Sequence, residues 1–184
     1  ETKKYHVAVL LDETVEALVT DPNGVYVDGT LGGGGHSKAI LERLGPGGRL
    51  ISIDQDSDAL AQCSEWAAAN KDRVTLVRGN FGKLDEILKD LGVAEVSGIL
   101  LDLGISSHQV DEGERGFSFV RPGPLDMRMD QNSGVPASVL VNTLDEAELA
   151  RIFRDYGEQP RSGKVARAIV HDRTLKPFET TEAL

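Results

Sequence analysis

Through the first half of the chain, short apolar runs alternate with stretches whose apolar positions recur at helical spacing. Leu11 to Val19 predicts a first helix, and Val25 to Asp28, β-branched and aromatic, predicts a strand that ends in Gly29 and a glycine cluster. Ser37 to Leu44 predicts a helix stopped by Gly45-Pro46-Gly47-Gly48, and Arg49 to Ile53 predicts a second strand. Ser57 is read as an N-cap, after which Leu60, Cys63, Trp66 and Ala67 share a helix face, and Val74 to Val77 predicts a third strand. Leu84, Ile87, Leu88 and Leu91 then form one face of a helix that Gly92 closes, and Val96 to Leu103 predicts the fourth strand. Four strands alternating with three helices predict a parallel, doubly wound α/β sheet.

Beyond Gly104 the pattern gives way to a polar segment rich in Gly, Pro, Arg and Asp that runs to about Pro136. Helical signals return at Ala137 to Val141, at Leu144 to Tyr156 behind a Thr143 and Glu146 capping box, and at Gly163 to His171. The expected organisation is therefore an α/β part over residues 1–104, a long active-site loop over 105–135 and a helical part over 136–184. Thr180 and Thr181 resemble the N-cap of another helix, yet only Glu182, Ala183 and Leu184 follow. Ile99-Leu100-Leu101 also suits a strand covered on both faces, although it would lie at a sheet edge. A partial chain is the expectation, with the fourth strand covered by a missing C-terminal segment or by a second copy in a homodimer.

The 184 residues are 40% hydrophobic and 27% charged, which excludes wholesale disorder. A net charge of −10 argues against binding a polyanion through overall charge, so any nucleic-acid site must be local. One cysteine, Cys63, cannot form an internal disulfide. The apolar stretch Val7 to Leu11 is too short for a signal peptide or a membrane span, and a cytoplasmic protein is expected. His6, His36, His108 and His171 are scattered without zinc-ligand spacing, so no metal site is expected.

In an open parallel sheet, ligands bind beyond the carboxyl ends of the strands where strand order reverses. The cluster Gly32-Gly33-Gly34-Gly35 lies at such a place, lets the backbone approach a ligand and aims helix amides at it. Ser37 stands where a dinucleotide fingerprint would have its third glycine, which weakens a nicotinamide reading. Asp54 closes the second strand where a carboxylate can accept both hydrogen bonds of a ribose diol. Phe81 follows the third strand, either as a face for an adenine or as a core residue. Asp102, inside an apolar run, would be costly unless partnered or facing a ligand. Ser106, Ser107, His108 and Gln109 offer polar groups for orienting an acceptor amine, and adjacent Ser and His do not make a hydrolase triad. Cys63, at a buried helical spacing away from any strand end, disfavours cysteine attack on a pyrimidine ring.

The segments His6 to Glu13, Gly29 to Ser37, Leu100 to Gly104, Glu114-Arg115-Gly116-Phe117-Ser118-Phe119 and Gly123 to Asp130 closely resemble the bacterial ribosomal RNA small-subunit methyltransferase H family. The resemblance spans nearly the whole chain. It implies a class I S-adenosylmethionine-dependent methyltransferase with a Rossmann-like sheet, here the first four strands, and a helical insert domain that is incomplete. It further implies methylation of the exocyclic N4 of a cytidine in the decoding region of 16S ribosomal RNA, within the small subunit or its assembly intermediate. Carried onto matching positions, Gly34, Gly35, His36, Asp54, Phe81, Asp102 and Gln109 would bind the donor. Asp102, Ser106 and Ser107 are the candidates for aligning the acceptor. The chain departs from the family at His108, usually proline, at Gln55, usually arginine, and over Gln159 to Gly163.

On the RNA side, Arg161, Lys164, Arg167, Arg173 and Lys176 face a single nearby acid, Asp172. Such a run is either an RNA contact or a solvated helix face. Arg115, Arg121 and Arg128 add cations, and Phe117 and Phe119 either stack on a base turned out of the RNA or pin the loop to the core. Two alternatives stay open: an amine methyltransferase acting on a small molecule or protein, and a noncatalytic module that binds S-adenosylmethionine.

Overall fold

The computed structural model describes residues 9–184, so the readings on His6, Val7 and Ala8 lie outside the described residues. The chain divides into two compact units, one running to Ser107 and the other covering His108–Leu184. In the first, helix α1 (Leu11–Leu18) precedes strand β1 (Val25–Asp28), α2 (Gly35–Arg43), β2 (Arg49–Asp54), α3 (Ser57–Ala69), β3 (Val74–Arg78), α4 (Leu84–Asp90) and β4 (Gly98–Leu100).

The four strands are parallel in the order β3-β2-β1-β4. Alternation along each strand divides its side chains between two faces. Tyr26 and Leu50 point to one face and pack with Val15 of α1, Ile40 and Leu41 of α2, and Ala67 of α3. Val27, Ile51 and Ile53 point to the other, against Leu84, Ile87 and Leu88 of α4. The winding runs outward from β1 to β3 and then returns to the far side of β1. A right-handed crossover therefore carries α4 onto the opposite face, and strand order reverses between β1 and β4.

In the first unit the four strands and their helices match the sequence reading with two local details that differ, whereas residues 107–111, expected within a long loop over 105–135, are helical. The N-cap of α3 is Asp56, whose carboxylate accepts the Asp58 amide at 3.0 Å, and not Ser57. Asp54 accepts the Asp56 amide at 2.9 Å, and this places Asp56 at the cap. The fourth strand spans three residues, not eight, because its partner β1 ends at Asp28 and leaves Leu101 to Leu103 without a ladder neighbour. Ile99, Leu101 and Leu103 are accordingly exposed.

In the second unit, α5 (Ser107–Asp111, beginning at the boundary) is followed by α6 (Ala137–Thr143), α7 (Glu146–Asp155) and α8 (Ser162–Asp172). Asp145 caps α7 through the Glu148 amide at 2.8 Å, whereas Thr143 bonds back to Val139 and closes α6, so the expected capping box is replaced by an aspartate cap. Leu125 is buried with Val141, Leu149, Ala166, Ile169 and Phe178, so the polar segment contributes to the helical core. Thr180 forms an isolated antiparallel bridge with Pro124. No described helix is long and apolar enough to cross a membrane.

Candidate functional site at the carboxyl ends of the strands

The loop after β1 sits where the sheet splits its allegiance. Gly29 donates its amide to Leu100 of β4 at 2.9 Å, and Leu31 donates to Ile53 of β2 at 3.0 Å. The loop is thus anchored to both neighbours, and its glycines span the reversal point. Gly34 has φ +77° and forms the N-cap of α2, which no side chain caps, leaving first-turn amides available to a ligand.

Asp54, at the end of β2, accepts the Gly32 amide at 2.8 Å on one carboxylate oxygen and the Asp56 amide at 2.9 Å on the other. The glycine loop and the strand-end carboxylate therefore bound the same hollow. The Gln55 amide also acts on this carboxylate, and a carboxylate offers about four acceptor positions in all, so acceptor capacity remains for a ribose hydroxyl. Burial pushes the Asp54 carboxyl above its usual value, opposed by the Asp56 and Gly32 amides. Phe81 starts the short turn after β3, and its Cβ would lie 3.2 Å from a Cβ placed on Gly29. Asn80 donates to the Gln55 side chain at 3.0 Å and ties the ends of β2 and β3 together. An adenosine-type ligand fits this set: amides at the glycine turn, a diol acceptor and an aromatic ring on adjacent strand ends.

Asp102 lies two residues past β4, and its carboxylate is 43% exposed, so the desolvation cost expected of an aspartate inside an apolar strand does not arise. Its position is what marks it. The Asp102 amide donates to Thr30 Oγ1 at 2.8 Å, and its carboxylate stands 3.6 Å from His36 Nδ1. His36 is itself buried. Gly34, Gly35, His36, Asp54, Phe81 and Asp102 all fall on the carboxyl-end loops of the first unit, and Ser106 and Ser107 follow in the same unit.

Several supporting residues escaped the sequence reading. Ser37, seen only as a missing glycine, donates to the Asp28 carboxylate at 2.7 Å and lies 2.8 Å from the Ser52 hydroxyl, all three fully buried. Alternation offered a signal, since Asp28 and Ser52 share the face that α2 covers. Cys63 is buried as expected but is not remote from the strand ends: its thiol donates to the Gly32 carbonyl at 3.8 Å and packs under Gly34. Burial pushes its pKa up, which suits a packing role and not a nucleophilic one.

Burial also pushes the Asp28 carboxyl up from 3.8, against the Ser37 hydroxyl, the Thr30 amide and His36, with Asp54 adding to the rise. The folded state then holds this proton more tightly than the unfolded chain does. The associated stability is complete below the ordinary value and is lost as pH rises through the raised one. Asp28→Asn does not titrate and keeps both partners if Ser37 donates to Ser52 instead. Its melting temperature relative to the parent chain is expected to climb from about pH 4 toward neutrality. A difference that stays flat across the titration would contradict this.

The remaining candidates belong to the second unit. Gln109 is buried on α5, Phe117 is half-buried, and Phe119 is 96% exposed, so Phe119 pins nothing. Arg115, expected to offer its charge to RNA, is 3% exposed and donates to the carbonyls of Arg128 and Met129 at 3.2 and 3.1 Å. It holds the segment together from inside. Arg115→Met is therefore expected to cost the second unit about 1–3 kcal/mol in chemical denaturation while leaving the affinity of the folded protein for RNA close to that of the parent. Arg128 is paired with Asp126 at 2.7 Å and holds that carboxyl below its usual value. Arg161, Lys164 and Arg167 are exposed along the start of α8, with Arg167 paired to Glu146 at 3.3 Å. Arg173 caps the end of α6 through the Val141 and Leu144 carbonyls, which removes it from the charged face.

Comparison with known proteins places this geometry. The family described as the MraW methylase family matches residues 3–184. The ribosomal RNA small subunit methyltransferase H of Symbiobacterium thermophilum is 49% identical over 180 residues, which is 98% of this chain and 57% of that protein. Its counterpart in Brevibacillus brevis is 52% identical over 180 residues, again 98% and 57%, and that of Lachnospira eligens is 52% identical over 176 residues, 96% and 56%. The chain thus spans a little under three-fifths of the length of these relatives. The parallel sheet, its reversal point and the family match together give the fold of a class I S-adenosylmethionine-dependent methyltransferase. From residue 3 to residue 184, the chain belongs to the MraW methylase family.

Proposed function

We propose that this chain forms the donor-binding and acceptor-aligning part of a methyltransferase that uses S-adenosylmethionine to methylate the exocyclic N4 of a cytidine in 16S ribosomal RNA. The observation that carries the reading is the 2.8 Å bond from the Gly32 amide to Asp54, which makes the glycine loop and the diol-accepting carboxylate walls of one hollow. The likeness to relatives named ribosomal RNA small subunit methyltransferase H supports the substrate class. So does the exposed start of α8, where Arg161 and Lys164 offer phosphate contacts in a chain of net charge −10.

When bound, the donor supplies an electrophilic methyl group on a sulfonium. The residues of the chain then have mainly a positioning task, because the acceptor nitrogen has its lone pair delocalised into the ring and must be aligned with that methyl. Asp54 would hold the ribose, the Gly35 amide at the uncapped start of α2 would meet the donor while the Gly34 amide closes the loop on the Leu31 carbonyl at 2.8 Å, and Phe81 would cover the base. Asp102 accepts a hydrogen bond from the acceptor amine and orients it, assisted by Ser106 and Ser107. Phe119, fully displayed, stacks on RNA. A bacterial cytoplasmic enzyme with small-subunit RNA as partner follows.

The test is incubation of the chain, alone and within a full-length relative, with labelled S-adenosylmethionine and undermethylated small subunits, followed by nucleoside analysis. N4-methylcytidine in the RNA supports the proposal. Donor binding with no transfer by either protein would remove the enzymatic reading.

A further inference from the structure

Asp102 occupies an unsupported stretch of backbone. The β1–β4 ladder ends at the pair Asp28 and Leu100, Leu101 and Leu103 are 45% and 68% exposed, and Gly104 follows at φ +153°. The sheet therefore does not decide where this carboxylate sits. Two side chains do, one from the β1–α2 loop and one from the first turn of α2. Thr30 Oγ1 accepts the Asp102 amide at 2.8 Å across 72 residues of sequence, and Thr30 is itself held by its own amide donating to buried Asp28 at 3.1 Å. His36 Nδ1 faces the Asp102 carboxylate at 3.6 Å, while its Nε2 is buried with no hydrogen-bond partner. Such an unsatisfied buried nitrogen calls for a ligand or a functional reason.

Thr30, on the loop, and His36, in the first turn of α2, flank Gly32 to Gly35. We propose that they are positioning residues that lock Asp102 to the donor loop, so that ordering the loop around the donor also sets the carboxylate that receives the acceptor amine. The coupling rests on the donor reading given above; the lock itself does not. A loop tied to Asp28, Asp54 and Asp102 at once has few independent ways to move, so occupation of one end is felt at the other.

Two measurements separate these parts. Amide hydrogen exchange at Asp102 in the ligand-free chain reads the lock directly. Thr30→Val, which keeps the shape and removes the hydroxyl, is expected to speed that exchange about fivefold, the worth of one hydrogen bond, and Thr30→Ser is expected to restore protection. Calorimetry with S-adenosylmethionine reads the coupling. Thr30→Val is expected to weaken binding about fivefold, and its combination with Asp102→Ala is expected to be no weaker than Asp102→Ala alone, because both act through one group. His36→Gln combined with Asp102→Ala is expected to be non-additive in the same way and serves if Thr30→Val folds poorly. Unchanged exchange at Asp102 in Thr30→Val overturns the lock, and donor losses that multiply overturn the coupling. A parent chain that binds no S-adenosylmethionine overturns the donor reading and the coupling with it, while the exchange result still decides the lock.

Discussion

Gly34→Val is expected to abolish measurable donor binding while leaving the fold of the first unit in place. Gly34 has φ +77°, a region that costs an L-residue about 1–2 kcal/mol and a β-branched one more. A Cβ there would also lie 2.7 Å from Cys63 Sγ on α3, a buried residue, and 3.5 Å from Lys38 Cε. Loop or helix must shift by several tenths of an ångström, and the loop is the softer of the two. Misplacing a positioned group by about 1 Å costs on the order of a hundredfold, so the loss is expected to reach at least that in S-adenosylmethionine affinity by calorimetry. Gly34→Ala paired with Cys63→Ala removes the steric part and keeps the backbone strain, and it is expected to recover much of the binding. Gly34→Val that binds like the parent would show that the loop does not meet the donor.

The second large effect is on stability. Ile51→Ala is expected to cost about 2–5 kcal/mol, a substantial share of the roughly 5–15 kcal/mol that holds a domain folded. Ile51 is 1% exposed at the centre of the sheet and packs with Val27 and Ile53 beneath α4, so the vacated volume has little chance to collapse. Ile99→Ala on the edge strand is the matched control. Ile99 is 45% exposed, and its truncation is expected to change stability by about 0.5 kcal/mol or less. Urea denaturation of the two variants decides the matter, and equal losses would show that the edge is packed as tightly as the centre.

Residue types and their spacing made the α/β sheet readable because each signal was local. Val25 to Asp28 announced a strand through β-branched and aromatic residues, and the turn at Gly45 to Gly48 announced the end of α2. Asp54 and Phe81 were readable as strand-end residues for the same reason. Where a choice depended on a partner distant in sequence, the local signal failed. Ser57 and Asp56 are both good caps, and the hydrogen bond from the Asp56 amide to Asp54 settled which one served. Arg115 looked like one more surface cation because nothing nearby in sequence reveals that the carbonyls of Arg128 and Met129 close around it.

Periodicity and turn chemistry by themselves determined the kind and order of the elements, the place of the glycine loop and the strand-end acids, since these follow from steric preferences acting over a few residues. Only the tertiary structure decided which groups meet. Strand order brought β4 beside β1, and with it Asp102 to Thr30 and His36. The packing of α3 against the sheet set the Cys63 sulfur under Gly34, and the return of residues 179–181 to 123–125 helped draw the polar segment into a helical core. Each of these contacts joins residues far apart along the chain. The loop closure it requires is won by burial of the whole core, a cooperative quantity that no short window of sequence contains.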